Sequence, residues 1–249
     1  MKTKIALLLT LSGVLAISEP MQHAPVLVEL FTSEGCSDCP PADALLARLD
    51  ASNQQIIVLS EHVDYFNHLG WKDPYSSAAF TDRQNTYAEQ FKLNSVYTPE
   101  MVVNGTAEFV GSDNRAAKAK ITEASSRPGT VPVKLTINAG TVRVEVDAAP
   151  AGQKIGPADV MVAIAANEKS TQVLHGENGG KSLHHVAVVR SLTKIGELKE
   201  GKPFSKEIQT GRDTGDLRVV VWLQKPGQGP VLGVAMRTLA ATSASAAGF

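Results

Sequence analysis

Cys36 and Cys39 are the only cysteines of the chain. They sit two residues apart in FTSEGCSDCPPADALLARL (Phe31–Leu49), with Pro40 and Pro41 behind them and a run of helix formers beyond. Thiols at this spacing can form a redox couple, supply half of a metal site, or close a small covalent staple. The thiolate is the reactive form of cysteine, and a helix N-terminus favours it through its partial positive charge and free N–H groups. In the redox reading Cys36 is the attacking thiolate, and Cys39 resolves the mixed disulfide and releases the substrate. Asp38 lies between the two and opposes the thiolate, which predicts a less oxidising couple than neutral or basic residues would give there. As a staple the pair is weak: closing so short a loop contributes about 2 kcal/mol in the chain-entropy model. A zinc or copper site would need Cys36, Cys39, His62 and His68 together. The chain has no second Cys-x-x-Cys and no close histidine pair to complete one, so no metal ligand is assigned.

Whether such a pair is oxidised depends on its compartment. MKTKIALLLTLSGVLAISEP begins with Lys2 and Lys4, continues as an apolar run from Ile5 to Ile17, and leaves through Ser18. That order is the pattern of a secretory signal peptide over residues 1–18, and the run is shorter than the roughly 20 residues of a membrane-spanning helix. The expectation is a periplasmic or secreted protein, with no membrane association after cleavage, in an environment where disulfides persist. The formal net charge of −1 leaves no electrostatic footprint for nucleic acid.

The elements that must position the cysteines follow from periodicity. From Pro25 to Arg127, short apolar runs (VLVEL, Val26–Leu30; IIVLSEHV, Ile56–Val63) alternate with helical segments. PPADALLARL reads as a helix with prolines in its first turn. DPYSSAAFTDRQNTYAEQFKL reads as a long helix capped at Asp73. EMVVNG and TAEFVG follow as a hairpin, and SDNRAAKAKITEASS as a closing helix. SRPGTVP (Ser126–Pro132) breaks the pattern, and beyond it the period falls to two. Val133–Ile137 and Val142–Val146 form a hairpin about an Asn138–Gly140 turn. Asp159–Ala166, Leu183–Leu192, Phe204–Gln209, Leu217–Gln224 and Val231–Leu239 are further strands. About seven strands point to a β-sandwich over residues 131–240, and residues 241–249 form a small, polar, disordered tail.

Two other stretches carry chemistry-bearing residues. HVDYFNHLGWKDPYS places His62, Asp64, Tyr65, His68 and Trp71 beyond the second strand, on the end of the sheet where the cysteines belong. Tyr65 and Trp71 there can form an apolar platform for a peptide, or simply pack over the sheet. HGENGGKSLHH (His175–His185) is a glycine-rich connection without the spacing of a phosphate loop. Its adjacent His184 and His185 point to opposite faces of a strand. It is either a structural loop or a segment of the second half that leans over Cys36.

Residues 25–127 resemble a thioredoxin-like domain. FTSEGCSDCPPAD, HVDYFNHLGWKDPYS, YTPEMVVNG and HGENGGKSLHHVAVVR together resemble a bacterial family of secreted proteins of the thioredoxin superfamily, catalogued as a domain of unknown function. The resemblance implies that a cis-proline at Thr98-Pro99 faces the cysteine helix and offers backbone groups to an extended substrate. It also gives Glu29, an acid inside an apolar strand seven residues before Cys36, the role of a buried acid that moves the proton of Cys39. The expected fold is an α/β thioredoxin-like domain followed by an all-β, sandwich-like C-terminal domain. The expected function is an exported thiol–disulfide oxidoreductase acting on protein or small-molecule thiols and disulfides, with no organic cofactor. A metallochaperone using the same thiols and a non-catalytic binding protein remain as alternatives.

Overall fold

The computed structural model describes residues 24–52, 55–127, 131–138, 140–148, 155–200, 202–210 and 216–239. The expected signal peptide over 1–18 and the tail over 241–249 lie outside these residues. Of the described residues, 45% are strand and 19% helix.

The first half contributes β1 (Val26–Thr32), α1 (Pro40–Ala51), β2 (Ile56–His62), α2 (Ala78–Phe91), β3 (Glu100–Val103), β4 (Ala107–Val110) and α3 (Asn114–Ser125). β1 pairs parallel with β2 and antiparallel with β3, which pairs with β4. Every residue of β1 is buried, the acid Glu29 included, as a strand covered on both faces requires. Pro40 and Pro41 open α1, where their missing N–H groups cost no helical bond. α2 starts later than expected. Ser77, not Asp73, is its cap, accepting from the Ala79 N–H, because the Asp73 carboxylate is committed to Glu34 and His62.

The second half contributes β5 (Val133–Asn138), β6 (Thr141–Val146), β7 (Ala158–Gln172), β8 (Ser182–Leu198), β9 (Phe204–Gln209), β10 (Leu217–Gln224) and β11 (Val231–Leu239). These strands do not form a sandwich of their own. A single mixed sheet of eight strands runs β11-β10-β7-β8-β2-β1-β3-β4, and a separate sheet of three runs β5-β6-β9. The expected fold class, a thioredoxin-like domain followed by an all-β one, is therefore corrected to a mostly β fold built on one large mixed sheet. The seam is the parallel pairing of β2 with β8, where Ser60 faces Val188. The physical reason lies in β10: LRVVVWLQ is buried at every position, so both of its faces need cover. A two-layer sandwich with one wet face cannot supply that.

On one face of the large sheet, Val26, Val28 and Leu30 of β1 pack against Ala42, Leu45 and Leu46 of α1 and against α3. Further along, Val142, Val144 and Val146 of the small sheet cover Val160, Val162, Val219 and Val221. The other face carries Leu27, Leu59, Val220 and Trp222 with Phe80 of α2. The sheet curls so far that the Val231 N–H donates to the Asn104 carbonyl at 2.9 Å, bringing the start of β11 onto the β3–β4 turn. Gly105 in that turn has φ +61°, and a Cβ there would stand 2.5 Å from the Gly229 carbonyl oxygen.

Candidate functional site

Cys36 and Cys39 are joined as a disulfide, with Cα atoms 5.4 Å apart, in the turn between β1 and α1. Cys39 already has helical backbone (φ −78°, ψ −36°) and accepts at its carbonyl from the Ala42 and Asp43 N–H groups. No side chain caps the first turn of α1, so the positive end of the helix faces the sulfurs. Cys36 is 3% exposed and Cys39 0%, while Ser37 and Asp38 between them are on the surface. Both cysteines are thus buried, and the two residues between them reach solvent.

The glycine-rich connection closes over this turn. Asn178, fully buried, donates through Nδ2 to the carbonyls of Glu34 (2.9 Å) and Cys36 (2.8 Å). Glu177 accepts from the Ser37 N–H at 3.1 Å, and Lys181 donates to the Asn178 side-chain oxygen. Gly176, at φ +75°, lies against Trp71: a Cβ there would stand 3.2 Å from the Trp71 Cβ. Of the two roles left open for this loop, leaning over Cys36 is the one it adopts.

Beneath the turn lies a cluster of buried carboxylates and histidines. His185 of β8 places Nε2 3.4 Å from Glu34 and Nδ1 3.6 Å from Asp43, ion-pair rather than tight hydrogen-bond separations. Thr32 donates to the other Asp43 oxygen at 3.0 Å, and Trp71 Nε1 donates to the other Glu34 oxygen at 2.8 Å. His62 Nδ1 is 2.7 Å from Asp73, whose carboxylate also accepts from the Glu34 N–H. Burial disfavours charge on His185, but Asp43 and Glu34 outweigh it and raise its pKa to about 9. Burial would raise the Asp73 pKa, yet His62 and two backbone N–H groups hold it below the ordinary carboxylate value.

The other expected site residues divide. The Thr98-Pro99 bond is cis. Pro99 is close to the first turn of α1, since a Cβ on Gly111 would stand 3.1 Å from the Pro99 Cβ and 3.2 Å from the Ala42 Cβ. Trp71 is drawn to the cysteine turn through Glu34, whereas Tyr65 turns its hydroxyl to Gln84 of α2. Glu29 points to the α2 face, away from α1. Its carboxylate accepts from Arg83 at 2.7 Å and from the Tyr87 hydroxyl at 2.7 Å. Arg83 lies in turn over the Tyr87 and Trp222 rings and 3.6 Å from Glu61, and burial drives the Glu61 pKa well up. His68 is exposed and is not brought to His62. Among the described residues, no group of three or more His, Cys, Asp or Glu side chains is arranged to hold a metal ion.

Sequence reasoning missed Glu34, Asp43, Asp73 and Asn178. A signal existed for Asp43: four residues beyond Cys39, it shares a helix face with it. None existed for Glu34 and Asn178, whose meeting depends on a contact across 144 residues.

A family model described as "Protein of unknown function (DUF1223)" matches residues 27–224. An X-ray crystal structure of a structural-genomics target from Agrobacterium tumefaciens superimposes with a TM-score of 0.75 at 27% identity, covering 90% of this chain and 97% of that one. HBP35 of Porphyromonas gingivalis shares the fold at 17% identity, with a TM-score of 0.63 over 89% of this chain and 77% of that one. No curated protein gives a significant match.

Proposed function

The chain belongs to the DUF1223 family of proteins of unknown function, and for it we propose an exported thiol–disulfide oxidoreductase working through Cys36 and Cys39. The observation that carries the proposal is a disulfide at the uncapped N-terminus of α1, buried itself but reached from the surface through the exposed Ser37 and Asp38 between its cysteines. A partner thiolate attacks the Cys36 sulfur, the Cys36–Cys39 bond breaks, and Cys39 leaves as a thiolate beside the helix N-terminus that favours it. In the opposite direction the Cys39 thiolate attacks the mixed disulfide and releases the partner thiolate. Thr98, half-buried next to the buried Pro99, and Trp71, bonded to Glu34 of the turn, are the residues that would meet a bound partner.

A distant relation of the cysteine-bearing segment to the thioredoxin superfamily belongs to the same proposal. It is supported by the local meeting of the cysteine helix with Pro99, inside a different overall fold. Export is supported by the leader-like order of residues 1–18. It predicts a mature N-terminus beyond Ser18, and an intact Met1 on the protein purified from its native cells would count against it.

The test is a redox titration of the purified protein, with thiol trapping read by mass spectrometry and metal content determined on the same sample. A reversible two-electron couple near the range of about −120 to −270 mV is expected. A disulfide that resists reduction well below that range would make the pair a staple, and thiols protected by bound metal would make the protein a metal carrier.

A further inference from the structure

His185 is buried, comes from the second half of the chain, and yet stands between two carboxylates that flank the disulfide in sequence. Glu34 precedes Cys36 by two residues. Asp43 follows Cys39 by four, and because Cys39 is helical their side chains lie on one face of α1, with Cβ atoms about 5–6 Å apart. Each carboxylate has one oxygen satisfied, by Trp71 or by Thr32, and turns the other to His185. His62 of β2 meets the ring edge to face at 4.7 Å, Tyr75 stands at 6.1 Å, and Asp73 reaches the group through His62. On β7, Lys169 is the register partner of His185 and is half-buried. A buried histidine between two buried acids is costly to assemble and strongly destabilising to break. Its placement at both ends of the cysteine turn gives it a use.

We infer that Asp43 exchanges the proton of Cys39 when the disulfide opens and closes, and that His185, held between Asp43 and Glu34, is the positioning residue that favours the deprotonated pair. The inference rests on the redox reading and assigns its proton. On closing, the Cys39 thiol gives its proton to Asp43. The sulfur then attacks Cys36 of the mixed disulfide, the Cys36–Cys39 bond forms, and the bond to the partner sulfur breaks with its electron pair leaving on the partner thiolate. On opening, the partner thiolate supplies the electron pair, Cys39 departs, and Asp43 returns the proton. β8 thereby completes a site whose cysteines belong to the first half, and Glu29, bound to Arg83 and Tyr87 on the opposite face, takes no part.

The measurement is the release of the second thionitrobenzoate when the reduced protein is mixed with one equivalent of Ellman's reagent, followed from pH 5 to 10. For His185→Gln the profile is expected to move to higher pH, with resolution at pH 7 slowed at least about tenfold, since the cation 3.6 Å from the accepting carboxylate is gone. His184→Gln, on the exposed neighbour, is expected to follow the wild type. A His185→Gln profile that superimposes on the wild type, with folding confirmed by circular dichroism, overturns the inference and leaves the redox reading standing. A wild type that never resolves the mixed disulfide at any pH overturns both. If His185→Gln does not fold, the imidazole of His185 can be titrated by NMR in the oxidised and reduced wild type. Different pKa values in the two states support the inference, and identical ones sink it.

Discussion

His62 and His185 meet edge to face with ring centroids 4.7 Å apart, one from each half of the chain. Around them lie Glu34, Asp43 and Asp73, and all five side chains are buried. The contact ties the charge state of the cluster to the stability of the whole sheet.

His185 makes that tie measurable. Its folded pKa of about 9 lies above the ordinary 6.5. The stabilisation is therefore complete below about pH 6.5 and is lost as pH rises through about 9. The difference converts to about 3 kcal/mol, an order-of-magnitude figure. Urea unfolding of the wild type should show this decline, and His185→Gln should flatten it. A wild-type midpoint constant from pH 6 to 10 would contradict the assignment.

Glu100 acts with the opposite chemistry in a lower window. Burial raises its pKa to about 7, against the Gln84 side chain, which donates to it at 2.7 Å. A raised acid costs stability as pH climbs from its ordinary value near 4.5 through 7, because only the folded state holds the proton there. Glu100→Gln should match the wild type at pH 4 and exceed it by about 2–3 kcal/mol at pH 8. Equal gains at both pH values would point to packing instead.

Arg83 holds Glu29 and approaches Glu61 with 4% of its own surface exposed. Arg83→Met leaves Glu29 without its cation and should cost about 3–5 kcal/mol. Adding Glu29→Gln to that variant should restore part of the loss. A single variant within about 1 kcal/mol of the wild type in denaturant titration would show that the pair is not the anchor of α2.

Asn178 fastens the 175–181 loop to the cysteine turn with two side-chain N–H bonds. Asn178→Ala strands the carbonyls of Glu34 and Cys36 and should cost about 1–3 kcal/mol. It should also speed reduction of the disulfide by dithiothreitol several-fold, because the turn loses its cover. An unchanged reduction rate would mean that the loop does not limit access.

Local elements were legible where local chemistry decides them. Phe204–Gln209, Leu217–Gln224 and Val231–Leu239 form at the expected bounds, since alternation and turn residues set them. β8 runs on to Leu198 instead of ending at Leu192, because Met161 and Val160 of β7 pair with its Lys194 and Gly196, residues that break the apolar alternation. The partner of a strand is not written in its own periodicity, so the pairing of Ser60 with Val188 had no local sign. The unbroken VVVWL of β10 did carry the message that both faces are covered. The cysteine turn was visible from its spacing, but its carboxylate–histidine floor was not. Each acid there is unremarkable alone and acquires its role through contacts between distant segments.

The seam between β2 and β8 also bears on how the polypeptide can be cut. A fragment ending near residue 127 would bare the hydrogen-bonding edge of β2, a strand buried at six of its seven positions. Such an edge is a template for any passing strand. The second half alone would present the matching flank of β8. The two pieces should therefore aggregate when made apart and recombine when made together, so a gene split at this boundary would tie the fate of each product to the supply of the other.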